Sequence, residues 1–574
     1  MGESRTTAQD LVTWRYALLL LVLALLCLVL LARAVDLQIL HKDFLQLQGD
    51  ARHLRTMAIP THRGMIKDRT GQPLAISSPV ESLWAHPANL LDSGADLGEL
   101  ADLLGVDREA LMQRLDDRRD REFMYLRRQA SPAVAEQAMA LGLPGVAVQR
   151  EYRRFYPSGE IVGHLLGFTD IDDRGLEGME YAYESWLRGT PGSKRVLRDR
   201  LGRTIADVEQ LREPRPGRDL QLSIDRRLQF LAYRELKSAV QNNSARGGSL
   251  VLLDTRSGEV LAMVNQPAFN PNNRRQLSGN AHRNRAVVDA WEPGSTIKPF
   301  TVAAALEAGI ADADTILNTH PGSMRVGRHT ITDVRDFGKI DLTTLISKSS
   351  NIGAAKLALE LPDETLWNLL AGLGFGRTTG SGYPGESAGA LAAQAPRSSV
   401  ERATLSFGYG LSATPLQLAQ AYAAIASGGE LKPVSFVSVD EPVKGTRVMR
   451  RETADALMAM MEAAVEPGGT ATRAAVDGYR LAGKTGTVRK SMAGGYSSDH
   501  YVAWFAGVGP VSDPRLAMVI MLDEPGGQAY YGGQIAAPVF GQVMAGAMRL
   551  MNIPPDARPD EPPPSLTAMR GEEP

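Results

Sequence analysis

Three short clusters in the second half of the chain combine a hydroxyl, an amide and two lysines in an order that suits acyl transfer. The first, Ser295-Thr-Ile-Lys298, lies inside Glu292-Pro-Gly-Ser-Thr-Ile-Lys-Pro-Phe300. Pro293-Gly294 interrupts regular structure before the serine, and an alanine-rich stretch follows it. Pro299 lacks an N–H, which is harmless only in the first turn of a helix. A helix is therefore expected to begin very near Ser295, with Ser295 and Lys298 on one face, one turn apart. A neutral Lys298 amine there can take the serine proton. Free lysine titrates at about 10.4, so burial or a neighbouring cation has to depress it. The helix start also offers backbone N–H groups to an anion. The bland alternative is a capping serine and a surface lysine.

The second cluster is Ser349-Ser350-Asn351. A hydroxyl two residues before an amide can put both on one wall of a cleft, Ser349 passing a proton to a leaving amine and Asn351 holding a substrate amide. The competing reading is a capping cluster before a helix starting at Ile352. The third is Lys484-Thr485-Gly486-Thr487, read as part of a strand. Gly486 lets another backbone come close. An edge strand there can pair with an extended peptide, and Lys484 with the two threonine hydroxyls can bind a carboxylate. An ordinary turn is the alternative. A Ser-His-Asp hydrolase would usually carry Gly-x-Ser-x-Gly, which the surroundings of Ser295 do not match.

The elements that must position these residues can be read at low resolution. With 574 residues, the chain is long enough for two or three domains. A formal charge of −2 gives no basic field for nucleic acid, and no Cys/His spacing suggests zinc. Residues 1–15 read as a short cytoplasmic head and 16–34 as a transmembrane anchor. Its 17 uncharged residues Tyr16–Ala32 span about 26 Å between Arg15 and Arg33. A cleaved signal peptide is the competitor, with Ala32-Arg33-Ala34 as a small-x-small site. Residues 40–220 form a charged module, with a helical stretch near Ala95–Leu115 and a junction at Leu211–Gly217. Residues 221–552 form an α+β domain. Its expected helices are Arg227–Ala239, Pro299–Ala308, Ile352–Leu361 and Leu416–Ala426, and its hairpins are Gly248–Leu253 with Glu259–Val264 and Tyr501–Val508 with Leu516–Leu522. Residues 553–574 read as a disordered proline-rich tail.

The triplet Ser-x-x-Lys, Ser-x-Asn, Lys-Thr-Gly resembles the penicillin-recognising serine enzymes. Arg63-Gly-Met-Ile-Lys-Asp-Arg-Thr-Gly-Gln-Pro-Leu-Ala75, Arg153-Arg-Phe-Tyr-Pro157 and Gly175-Leu-Glu-Gly-Met-Glu180 resemble successive boxes of the N-terminal module of class B penicillin-binding proteins. The pattern most resembles the division-specific FtsI type. That resemblance implies an elongated, mainly β/α pedestal of dimerisation type, then a transpeptidase domain with a central antiparallel sheet flanked by helices. It implies a D,D-transpeptidase that cross-links peptidoglycan stem peptides at the septum and is acylated by β-lactams. Ser295 is then the nucleophile, Lys298 the base, Ser349 the proton relay and Asn351 the orienting amide. Lys484, Thr485 and Thr487 bind the carboxylate, the backbone N–H groups of Ser295 and Thr487 form the oxyanion hole, and Tyr409, Tyr530 and Tyr531 line the cleft, with partly buried packing as the tyrosines' alternative role. The resemblance implies no metal or organic cofactor. It implies a partner glycosyltransferase of the SEDS type, other division-complex membrane proteins, and a single-pass location in the cytoplasmic membrane with the catalytic domain outside. The alternatives are an elongation-specific class B enzyme, a non-turnover β-lactam sensor or scaffold, and a class A β-lactamase, which would be about half this length and unanchored.

Overall fold

A computed structural model describes residues 8–44, 54–198, 204–273, 279–441, 443–492 and 495–557. It divides into two compact units. The first combines Met1–His62, Pro79–Tyr152 and Gly189–Pro216, and the second combines Arg63–Ser78, Arg153–Arg188 and Gly217–Pro574. The cut at Pro216 falls within the expected junction. The segments 63–78 and 153–188, however, belong with the unit of Gly217–Pro574 rather than with the rest of the 40–220 module.

The first unit begins with helix α1 (Ala8–Val35). Its apolar side chains from Tyr16 through Leu31 lie open, covered by no other part of the described chain. At 28 residues it is about 42 Å long, more than the roughly 30 Å of a bilayer's hydrocarbon core. The stretch Trp14–Leu40 is apolar and long enough to cross a membrane. The unit also holds a three-stranded antiparallel sheet, in the order Leu54–Ile59, Gly192–Arg198, Thr204–Arg212. The single helix expected near Ala95–Leu115 is two, Gly98–Leu104 and Arg108–Asp116. Gly105 ends the first in the left-handed region at φ +68, and the Asp107 side chain accepts from Ala110 N to start the second.

The second unit is built on five antiparallel strands: β1 (Gly247–Asp254), β2 (Val260–Gln266), β3 (Ala482–Met492), β4 (Gly495–Gly509) and β5 (Leu516–Asp523). Their spatial order is β2-β1-β5-β4-β3, which leaves β3 at an edge. Successive side chains on a strand point to opposite faces. Leu250, Leu252, Met518, Ile520 and Leu522 accordingly join one core, against helices α2 (Arg226–Asn242) and Ala537–Leu550. Val251, Leu253, Ala517, Val519 and Met521 join the other, with α3 (Lys298–Glu307), α4 (Leu342–Lys348), α5 (Asn351–Glu360) and α6 (Pro415–Ala426). A sheet covered on both faces explains why these strands read as continuous apolar runs. The expected α+β class, with a central antiparallel sheet flanked by helices, is the one observed. Residues 553–557 depart from the tail reading: Ile553 is buried and Asp556 accepts from Arg480 N and Ser512 N. The rest of that tail lies outside the described residues.

Candidate active site

The nucleophile turn is held from several sides. Gly294–Ile297 forms one 3₁₀ turn that runs directly into α3, with Pro299 in the first turn as expected. Gly294 N donates to Gly408 O (3.2 Å), Trp504 Nε1 donates to Glu292 O (3.2 Å) and Tyr422 Oη donates to Thr296 O (2.8 Å). Strand β3 lies against this turn so closely that a Cβ on Gly486 would sit 2.9 Å from Pro293 O and 3.0 Å from Thr296 Cγ2. This is the close backbone approach expected of Gly486. Ser295 is half-buried, and its backbone N–H lies in the first turn, where a helix has no internal acceptor to offer.

Lys298 reaches across to the second cluster. Its fully buried ammonium donates to Ser349 O (2.5 Å), Ser349 Oγ (3.0 Å) and Asn351 Oδ1 (2.7 Å). All three bonds go to the Ser349–Asn351 wall, and among the described residues none runs to Ser295 Oγ. Ser349 sits between α4 and α5 in the left-handed region (φ +63), so its carbonyl and hydroxyl both face Lys298. Ser350 is the N-cap of α5, accepting from Gly353 N, so the capping expected of this cluster is present on the residue between Ser349 and Asn351. Burial first, and then the charge of Lys484, push Lys298 well below the ordinary lysine range, while Asp333 pulls the other way. Burial also lowers Lys484, to about 7.

The period of two along β3 separates the third cluster into two faces. Lys484 is fully buried, its ammonium donating to Thr485 O (3.1 Å), and it acts on the site through its charge on Lys298. Thr485 Oγ1 donates to Thr470 Oγ1 (3.3 Å), and Thr487 Oγ1 accepts from Gly532 N (3.0 Å). The two threonines thus share the face opposite Lys484. The tyrosines also divide. Tyr409 packs edge-on against Phe407 and Tyr496, at 5.7 and 5.4 Å. Tyr530 is stacked between Tyr501 (4.4 Å) and Tyr531 (4.5 Å), and Tyr531 is 49% exposed just before Gly532.

Sequence reasoning missed Glu292, Tyr496, Thr470 and Asp333. Glu292 Oε1 accepts from Tyr496 Oη (2.9 Å) and Gly410 N (3.0 Å), tying the residue before Pro293 to the Tyr409 loop. It borders a cavity of about 290 Å³ that Trp291, Ser412, Val488 and Arg489 also line. Glu292 stood inside the quoted nucleophile segment, whereas Asp333 lies in no motif.

Residues 248–545 match the penicillin binding protein transpeptidase domain family, and residues 58–222 match the penicillin-binding protein dimerisation domain family. The chain is 44% identical over 553 residues to peptidoglycan D,D-transpeptidase FtsI of Escherichia coli K12, covering 96% of this chain and 94% of that one. It is 40% identical to the probable peptidoglycan D,D-transpeptidase PenA of Neisseria gonorrhoeae, over 94% and 93% of the two chains. Among solved structures, penicillin-binding protein 3 of Mycobacterium tuberculosis with aztreonam superposes at TM-score 0.68 and 27% identity, covering 87% of this chain and 98% of that one. The apo transpeptidase domain of Burkholderia pseudomallei penicillin-binding protein 3 gives 0.55 and 39%, covering 59% and 98%.

Proposed function

The chain belongs to the FtsI-type peptidoglycan D,D-transpeptidases, class B penicillin-binding proteins, and from that premise we propose that it joins peptidoglycan stem peptides through an acyl-enzyme on Ser295. The observation that carries this reading is the buried Lys298 amine, hydrogen-bonded to Ser349 and Asn351 one turn after Ser295. A lysine with its charge disfavoured is a base at neutral pH. Lys298 takes the proton of Ser295 Oγ as that oxygen attacks the carbonyl carbon of the donor's penultimate D-Ala. The oxyanion meets the backbone N–H groups of Ser295 and Thr487, each such donor contributing about 3–4 kcal/mol. The peptide C–N bond breaks, the proton returns to the leaving nitrogen through Ser349, and D-Ala departs. An acceptor amine from a second stem peptide then attacks the ester, gives up a proton, and restores the Ser295 hydroxyl.

Asn351 orients the acyl donor, and the donor strand lies along the free edge of β3. Thr485 and Thr487 receive the carboxylate, and Lys484 supports it from beneath. Tyr409, Tyr530 and Tyr531 flank the entrance. A β-lactam enters the same way, with its ring amide as the bond cleaved. Residues 1–15 are the cytoplasmic head, residues 16–34 of α1 are the single span, and the catalytic unit faces outward at the septum. An enzyme with this one site needs a polymerase to make glycan strands, so a SEDS-type glycosyltransferase is the expected partner, met through α1 and the 40–220 module.

Fluorescent penicillin tests the chemistry: wild type labels, and Ser295→Ala does not while its thermal melt stays unchanged. Undiminished labelling of the mutant overturns the assignment. Depletion that yields round cells instead of filaments overturns the septal placement alone.

A further inference from the structure

We propose that Asp333 is a positioning residue for acylation, which turns the Ser349–Asn351 wall toward Lys298. It follows a two-stranded ribbon, Ser323–Val326 paired with His329–Thr332. The apolar side of that ribbon is clamped: Val326 and Ile331 pack with Ile352 and Ala355 of α5 and with Ala403 and Phe407. Asp333 N donates to Gly322 O (3.1 Å), which fixes the residue at the ribbon's base.

Thr332, the ribbon's last residue, and Asp333 then set the wall between them. Asp333 Oδ2 accepts from Ser350 Oγ (2.6 Å), and Oδ1 accepts from Asn351 N (2.5 Å) and Ile352 N (3.2 Å). Thr332 O accepts from Asn351 Nδ2 (2.9 Å). An amide whose nitrogen is committed to a carbonyl must turn its oxygen the other way, and Asn351 Oδ1 accordingly meets Lys298 Nζ at 2.7 Å. Ser350 caps Gly353 N, and Asp333 takes the Asn351 and Ile352 N–H groups that the start of α5 leaves open, which pins Asn351 at the wall. Through Ser350 and Asn351 it also holds the residues that carry the acceptors of Lys298.

The charged groups facing Lys298 are Lys484 from β3 and Asp333 from the ribbon. Lys484 and burial favour the neutral amine, and Asp333 opposes both. The balance has a chemical purpose. A lysine depressed too far is always neutral but too weak a base to hold the serine proton, and rate follows base strength. Asp333 keeps that strength in range while fixing the acceptors around Nζ.

The inference rests on Lys298 being the base, so the test reads the pH dependence of penicillin acylation in the full-length, detergent-solubilised protein. Asp333→Asn keeps the shape and removes the charge. Its acid limb should move to lower pH, and its plateau rate should fall about tenfold, a fraction of what a base step contributes. Asp333→Glu keeps the anion and should retain the wild-type midpoint at a reduced rate. A slower Asp333→Asn with an unmoved midpoint would mean a merely structural cap and overturns the proposal, as does a wild-type rate. If Asp333→Asn does not fold, a displaced midpoint in Asp333→Glu refutes it just as well. Loss of wild-type labelling, or labelling of Ser295→Ala, would instead strike the parent assignment.

Discussion

Replacing Lys484 with methionine removes a charge from a site that burial makes hostile to it. In the unfolded chain this lysine titrates at about 10.4, and in the fold it titrates at about 7. Between those values the unfolded state holds a proton that the native state lacks, so stability rises with pH across the window. Below pH 7 both states are charged and the full cost of burial is present. A depression from 10.5 to about 7, at roughly 1.4 kcal/mol per unit, amounts to about 5 kcal/mol. Lys484→Met should therefore be more stable than wild type by up to about 5 kcal/mol at pH 6. By pH 9 the advantage should shrink to about 2 kcal/mol, because the native amine is then neutral and less of the gap is left. Urea titrations of the two proteins at both pH values measure this directly. Removing the cation should also raise Lys298, moving the acid limb of acylation to higher pH, the direction opposite to that of Asp333→Asn. A stability difference that is the same at pH 6 and pH 9, or a wild type more stable at pH 6, would refute the electrostatic account of this lysine.

Two other substitutions probe the frame. Gly486→Ala puts a methyl 2.9 Å from Pro293 O, so the strand and the nucleophile turn must part. Overpacking of this kind costs about 1–3 kcal/mol, and acylation should slow far more than that loss explains, which stopped-flow penicillin binding will report. Glu180→Gln breaks a buried cluster in which Glu180 accepts from Arg63 Nε and Arg154 Nε, both at 2.6 Å. Leaving a buried ion uncompensated costs about 3–5 kcal/mol, and a calorimetric melt unchanged from wild type would contradict it.

Much of this site was legible because its signals are local. Pro293, Gly294 and Pro299 bracket a helix start on physical grounds, and that start is where the chain puts it. The hairpins around Ser257 and Asp513 announced themselves by apolar runs interrupted at turns. What stayed hidden is non-local. Nothing near Lys298 in the sequence says that Lys484 and Asp333 join burial in setting its charge, because strand order and a ribbon bring them there. Gly105 and Asp107 carried the signal for two helices, but apolar spacing across 95–115 masked it. The three boxes in the first half of the chain were recognisable by likeness alone. Their common purpose appears only when Arg63, Arg154 and Glu180 meet in one ion cluster, and when Gly175 proves to leave no room for a Cβ against Glu180 O.

The order of strands in the sheet also has a temporal meaning. β1 is flanked by β2, made at once, and by β5, whose Leu516 lies opposite Asp254. At about 5–20 residues per second, the ribosome needs roughly 15–50 s to pass from one to the other. Through that interval β1 has no partner on its second edge, and the face that α2 begins to cover stays incomplete, since the helix Ala537–Leu550 comes later still. Pairing at such long range is slow and exposes aggregation-prone edges. The newborn chain therefore keeps that edge open while more than two fifths of its length is made, and a ribosome that stalls between residues 266 and 516 leaves behind a sticky fragment instead of a smaller enzyme.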